Sequence, residues 1–191
     1  NAPSSEPLGS YSIKNAAFSV TYARTFAGGI SAGVTARKLF EKVSMETADG
    51  YAFDAGVKVN VPGIDGLRLA TAARNYGRMD KLKNDRTNLP SDVVIGAAYK
   101  VTSAPGLGKD IIFLGDYVIP KYGDSGIRIG AEIVPVDRFY ARVGYRTDSD
   151  IENVSFGVGI IYQMFTFDAA YTPMKEGFDD VMRFSVGLTG F

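Results

Sequence analysis

Hydrophobic and polar residues alternate with period two along most of this chain. In 51–59, Tyr51, Phe53, Ala55, Val57 and Val59 fall on one side and Asp54 and Lys58 on the other. Residues 127–135 place Ile127, Ile129, Ala131 and Ile133 opposite Arg128 and Glu132. Residues 139–146 place Phe139, Ala141, Val143 and Tyr145 opposite Arg142 and Arg146. Period two is the side-chain period of a β-strand, because successive Cβ atoms point to opposite faces. The pattern and its turn signals predict about eleven strands of about ten residues each. They fall near 16–26, 30–43, 50–60, 66–76, 91–101, 109–119, 126–136, 137–147, 153–163, 164–173 and 181–191. Residues 1–15 ("NAPSSEPLGSYSIKN") are rich in Ser, Pro and Gly and read as loop, which leaves 16–191 for the strands. No segment reads as an amphipathic helix. The predicted fold class is all-β, an antiparallel up-and-down sheet.

The connectors alternate in length. "AGG" (27–29), "PGIDG" (62–66) and the junctions at Val136–Asp137 and Met164–Phe165 are short or fairly short. "SMETAD" (44–49), "RMDKLKNDRTNLP" (78–90), "KYGDSG" (121–126), "DSDIEN" (148–153) and "MKEGFDD" (174–180) are longer. "TSAPGLGK" (102–109) breaks the rule, since it should be a short turn. Alternating short and long connectors are the pattern of an outer-membrane barrel. In the six best-patterned segments the apolar face carries no charge, as a lipid-facing surface requires. The aromatic rings add a second sign. Tyr51, Tyr117, Tyr145 and Tyr171 fall near one end of their strands, and Tyr22, Tyr99 and Tyr162 near the other. Two such girdles suit the two interfaces of a bilayer. A soluble sheet also alternates, with its apolar face as the core. The alternative is therefore a soluble all-β ligand-binding module of lipocalin-like kind, with Tyr22, Tyr99 and Tyr162 inside and Arg142 and Arg146 in water.

Composition narrows the function. The 191 residues carry 21 basic and 21 acidic side chains, so there is no global basic footprint for nucleic acid. With no cysteine and no histidine, disulfides, thiolate metal sites and histidine-based catalysis are all removed. "PGLG" (105–108) lacks the Lys-Ser/Thr of a phosphate loop, and neither "DGYAFD" nor "EGFDD" has the ligand run of a calcium loop. The expectation is a non-enzyme with no cofactor and no metal. No apolar run reaches the ~18 residues of a membrane helix. No signal peptide is visible, which reads the chain as mature or truncated.

The candidate site is the charged face: Asp54, Lys58, Arg128, Glu132, Arg142, Arg146, Asp168 and Arg183. It reads as a polar lumen or partner surface, or as an ion-pair network that stiffens the sheet. Arg128, Arg142 and Arg146 could form a positive patch for a carboxylate or phosphate, unless Glu132 or Asp168 neutralises them. The loop 78–90, with Arg78, Lys81, Lys83 and Arg86, could meet lipopolysaccharide or a partner, or be a solvated loop.

Several stretches resemble the PorV/PorQ family of the FadL-like outer-membrane superfamily. They are "LGSYSIKNAAFSVTYAR", "GYAFDAGVKVNVPGIDGLRLATAARNYG", "LPSDVVIGAAYKV", "IRIGAEIVPVDRFYARVGYRTD" and "FDAAYTP…MRFSVGLTGF". The resemblance implies a bacterial outer-membrane protein. Its role would be an accessory of type IX protein secretion or a transporter of hydrophobic solutes. Its partners would be membrane lipid and lipopolysaccharide, with other outer-membrane or secreted proteins. It makes the aromatic Phe191 a C-terminal assembly signal, although the ending "GLTGF" is longer than usual after the strand's last Gly. The superfamily barrel has about fourteen strands. Eleven is odd, so the chain is expected to be the C-terminal portion of a larger barrel, unless the count is off by one.

Overall fold

The computed structural model describes residues 13–44, 46–82, 85–86, 88–102, 110–135 and 138–188. The side chains of Leu82, Asp85 and Arg86 are left aside. The strands are β1 (Ile13–Thr25), β2 (Ile30–Val43), β3 (Glu46–Asn60), β4 (Leu67–Met79), β5 (Lys81–Leu82), β6 (Asp85–Arg86), β7 (Asp92–Thr102), β8 (Asp110–Pro120), β9 (Gly126–Val134), β10 (Phe139–Arg146), β11 (Val154–Tyr162), β12 (Phe165–Thr172) and β13 (Val181–Leu188). A 3-10 turn over Ala27–Gly29 joins β1 to β2. Eleven strands form one sheet in the order β1-β2-β3-β4-β7-β8-β9-β10-β11-β12-β13, and β5 and β6 make a separate small hairpin. Every pairing is antiparallel between chain neighbours in the sheet, the meander that the alternation predicts. No pairing joins β1 to β13 among the described residues, so the sheet has two free edges. No helix of the described residues is long and apolar enough to cross a membrane, which does not bear on strands.

Four sequence expectations change. Ile13, Lys14 and Asn15 belong to β1 rather than to a loop, while residues 1–12 lie outside the described residues. Of "SMETAD", the residues from Glu46 to Asp49 belong to β3 rather than to a connector, because β2 and β3 stay paired up to Val43 and Glu46, and Met45 lies outside the described residues. Its Thr47 and Asp49 are polar on the face that is apolar further along, so the alternation loses its hydrophobic signal there while the backbone ladder continues. The stretch 78–90 is not all loop: β4 runs to Met79, and β5 and β6 follow. A bulge also interrupts β3 and β4, where Phe53 pairs with Tyr76 but Ala55 pairs with Ala73. The expected turn at Val136–Asp137 and most of "TSAPGLGK" lie outside the described residues, as do Thr189, Gly190 and Phe191.

The sheet has no second layer among the described residues. Its extensive contacts run between hydrogen-bonded neighbours or stay local to the 27–29 turn and the β5–β6 hairpin. The apolar face is consequently bare. Ile129 and Val158 are 54% and 51% exposed, and Phe18, Phe53, Ile95 and Phe184 are exposed as well. The charged face is less open, and Asp92 and Glu132 keep only 16% and 20% of their side chains exposed. That face is crowded by its own side chains lying across neighbouring strands. A Cβ at Gly159 would stand 2.5 Å from Asp168 Oδ1, and one at Gly96 would strike Asp116 Oδ1. Glycine there leaves the room that the carboxylates occupy.

Candidate functional site

The charged face organises around three cross-strand networks. The first is built on the bulge. Two residues of β4, Arg74 and Asn75, stand opposite Asp54 of β3, and Asn75 has φ +57°, a left-handed conformation that Asn tolerates. The backbone N–H of Asn75 donates to Asp54 Oδ1 at 2.8 Å, and Arg37 of β2 pairs with Asp54 Oδ2. Arg37 also donates to Asn75 Oδ1 at 2.8 Å, and Asn75 Nδ2 donates to the Pro90 carbonyl at 3.1 Å. Ser91 Oγ donates to the Asn75 carbonyl at 2.7 Å. Arg74 holds Asp92 of β7 through two bonds, Nε to Oδ1 at 2.8 Å and Nη2 to Oδ2 at 2.7 Å. The bulge thus turns the backbone so that four strands and the 80–91 connector share one hydrogen-bonded cluster.

The second network sits at the β9–β10 end. Arg128 and Arg146 are register partners, two cations side by side, which would repel unless something stood between them. Asp148, just beyond β10, fills that place. Arg146 donates to it from Nε at 2.7 Å and from Nη2 at 3.0 Å, and Arg128 Nε donates at 3.0 Å. Arg146 Nη1 also donates to Glu152 Oε1 at 2.5 Å. The two guanidinium groups, Arg146 first and Arg128 second, hold the Asp148 carboxyl well below the usual carboxylate range. In the third network Arg142 lies between two carboxylates, donating from Nε to Glu132 at 2.6 Å and from Nη1 to Asp168 at 2.6 Å. Its guanidinium also lies 5.4 Å from the centre of the Tyr140 ring.

The three arginines of the proposed positive patch are therefore neutralised, Arg142 by Glu132 and Asp168 and the other two by Asp148 and Glu152. Lys58 and Arg183 of the sequence-derived set make no ion pair among the described residues. A recess of about 310 Å³ at this end is lined by Arg146, Ser155, Thr172 and Arg183, among others. Sequence reading missed Asn75, Ser91, Asp148 and Glu152. Asn75 sits on a bulge whose sequence trace is the adjacent polar pair Arg74-Asn75, and the others lie in connectors. Asp148 also carried a signal, an acid two residues beyond Arg146 and near in space to any strand paired with β10.

The tyrosines of the apolar face differ in exposure. Tyr22, Tyr51, Tyr99, Tyr117, Tyr145 and Tyr162 are exposed on the apolar face. Tyr171 is half-buried, and its hydroxyl donates to Asp180 of the following connector. Asp180 also accepts the Met174 N–H at 2.9 Å, and these two donors, the tyrosine first, lower its carboxyl pKa.

The apolar face is not free of charge along its whole length. Lys14, Lys38, Lys42 and Arg78 lie on it at one end of β1, β2 and β4, and Arg24 at the other end of β1. The uncharged stretch holds for the segments whose alternation is strongest, and it ends where the long strands extend past them. No protein-family model and no curated protein matches the chain.

Proposed function

We propose that this sheet is the larger part of a transmembrane β-barrel of a bacterial outer membrane, with its apolar face towards lipid and its charged face lining the interior. One observation carries the reading: the large apolar side chains are bare, while Arg37, Arg74, Arg128, Arg142 and Arg146 on the opposite face are held in ion pairs. A soluble lipocalin-like module needs the reverse, with Tyr22, Tyr99 and Tyr162 under cover, yet all three are exposed. The apolar run from Tyr51 to Val59 extends about 27 Å along β3, close to the ~25 Å apolar band of such barrels before tilt shortens it.

Strand parity supports a larger closed structure. In an eleven-stranded meander β1 and β13 run in the same direction, so they cannot join antiparallel. An odd number of further strands restores the alternation, and a barrel of about fourteen strands adds three. Closure is required in lipid because an unpaired backbone group there costs several kcal/mol. The connectors 80–91, 147–153 and 173–180, each longer than 61–66 at the opposite end, share one end of the sheet, which we take as the outer one.

The role we infer is non-enzymatic, of the PorV/PorQ kind: an accessory of type IX secretion or a conduit for hydrophobic solutes. The locked ion pairs of the interior favour a fixed scaffold. In cells lacking the protein, loss of secreted cargo with normal uptake of labelled fatty acid supports the accessory role. The opposite result supports transport, and no change in either overturns both.

A further inference from the structure

The cations on the apolar face gather at one place. β1–β4 are the longest strands of the sheet, with 13, 14, 15 and 13 residues against 8 in β13. Their extra length carries the face past the apolar band at the end with the longer connectors. Phe18, Lys38, Tyr51 and Arg78 are successive register partners there, one per strand, on one face. Lys42 lies further along β2, beyond Phe40, with Lys14 as its partner on β1. The rings separate and support the charges: Lys38 Nζ lies 5.2 Å from the Phe40 ring centre and Arg78 Cζ 5.4 Å from that of Tyr51. Among the described residues two carboxylates share the cluster, Asp49, 3.4 Å from Lys38, and Asp80, two residues beyond Arg78 with its N–H donating to the Asp49 carbonyl, so the four cations still outnumber the acids. Lys14, Lys42 and Arg78 make no ion pair among the described residues. On β9–β11 the same face carries only Ile127, Tyr145, Val154 and their apolar neighbours at this end.

Resting on the membrane reading, we propose that this cluster binds the phosphorylated headgroup of a lipid in the leaflet on that side. The chemistry matches in each part. Lys38 and Lys42 are about 14 Å apart along β2, and Arg78 stands about 10 Å across from Lys38, so the cations ring a headgroup-sized area. They lie directly above apolar surface that would take the acyl chains, and long basic side chains reach upward from such a surface to the interface. A guanidinium and ammonium groups are the usual partners of phosphate oxygens. A free phosphate would make no use of the rings or of the apolar surface beneath.

The test uses the full chain in phosphatidylcholine vesicles with trace spin-labelled phosphatidic acid or spin-labelled phosphatidylcholine. The spectrum separates lipid held at the protein surface from bulk lipid. The expected result is a several-fold preference for phosphatidic acid, lost in the triple variant K38Q/K42Q/R78Q and kept in K58Q, whose lysine is on the charged face. High salt should weaken the wild-type preference, and millimolar inorganic phosphate should not. Equal association of both lipids, a preference surviving in the triple variant or equally lost in K58Q, or one displaced by free phosphate overturns the proposal. If the triple variant does not insert, salt-insensitive wild-type selectivity overturns it. Absence of any protein-held lipid signal sinks the membrane reading itself, whereas held lipid without selectivity sinks only this inference.

Discussion

At the scale of single residues, the charged face is a set of arginines placed between acids. Arg142 separates Glu132 from Asp168, so Arg142→Gln leaves two carboxylates facing each other. The expected loss is about 1–2 kcal/mol, since the group is partly exposed, read as a lower urea midpoint in vesicles. Asp148 gives a pH signature. Its folded pKa lies below the ordinary value, so its contribution is fully present above about pH 4 and fades as pH falls through the folded value. Wild type should exceed Asp148→Asn in stability at pH 7, and the gap should narrow steadily below about pH 4. A gap that is constant with pH would assign the loss to packing instead. That Glu132, Arg142 and Asp168 share a face was legible from alternation, and it left open whether the acids neutralise the arginine; Asp148 was not legible, because period two specifies a face within a strand and says nothing of a connector.

At the scale of elements, alternation located all eleven strands of the sheet to within a few residues. It failed where its physical basis stops. β3 begins at Glu46 rather than near 50, beyond the apolar band, where Thr47 and Asp49 replace the apolar residues and the sequence resembles a loop. The β3–β4 bulge left a faint mark, since the adjacent polar residues Arg74 and Asn75 break the alternation between Ala73 and Tyr76, but only the pairing shows that the break is one extra residue and where it faces. Beside that bulge Gly77 lies so close to β3 that a Cβ would overlap the Tyr51 carbonyl, whereas a Cβ at Gly115 meets nothing nearer than Ile129 Cγ2 at 4.0 Å. Gly77→Ala should therefore cost about 2 kcal/mol or more, by forcing backbone strands apart, and Gly115→Ala should be close to neutral. Refolding yield into vesicles, compared for the two variants, checks this. Equal yields would mean that β3 and β4 are more loosely paired than described.

At the scale of the whole molecule, the account rests on inverted amphipathicity: apolar residues bare, most arginines of the other face in ion pairs, and no layer of protein covering either face among the described residues. The choice between lipid and protein as the partner of the apolar face was open in the sequence, since both produce the same alternation. The most direct test follows β11, and the absence of cysteine in the chain makes it clean. Single cysteines at Phe156, Val158 and Ile160, and at Ser155, Gly157 and Ile161, are spin-labelled in vesicle-reconstituted protein. Each label is then probed with oxygen, which concentrates in lipid, and with a water-soluble nickel chelate. The account predicts that 156, 158 and 160 are open to oxygen and closed to nickel, with 155, 157 and 161 less open to oxygen. Labels at 156, 158 and 160 shielded from both reagents would place that face in a protein core and contradict it.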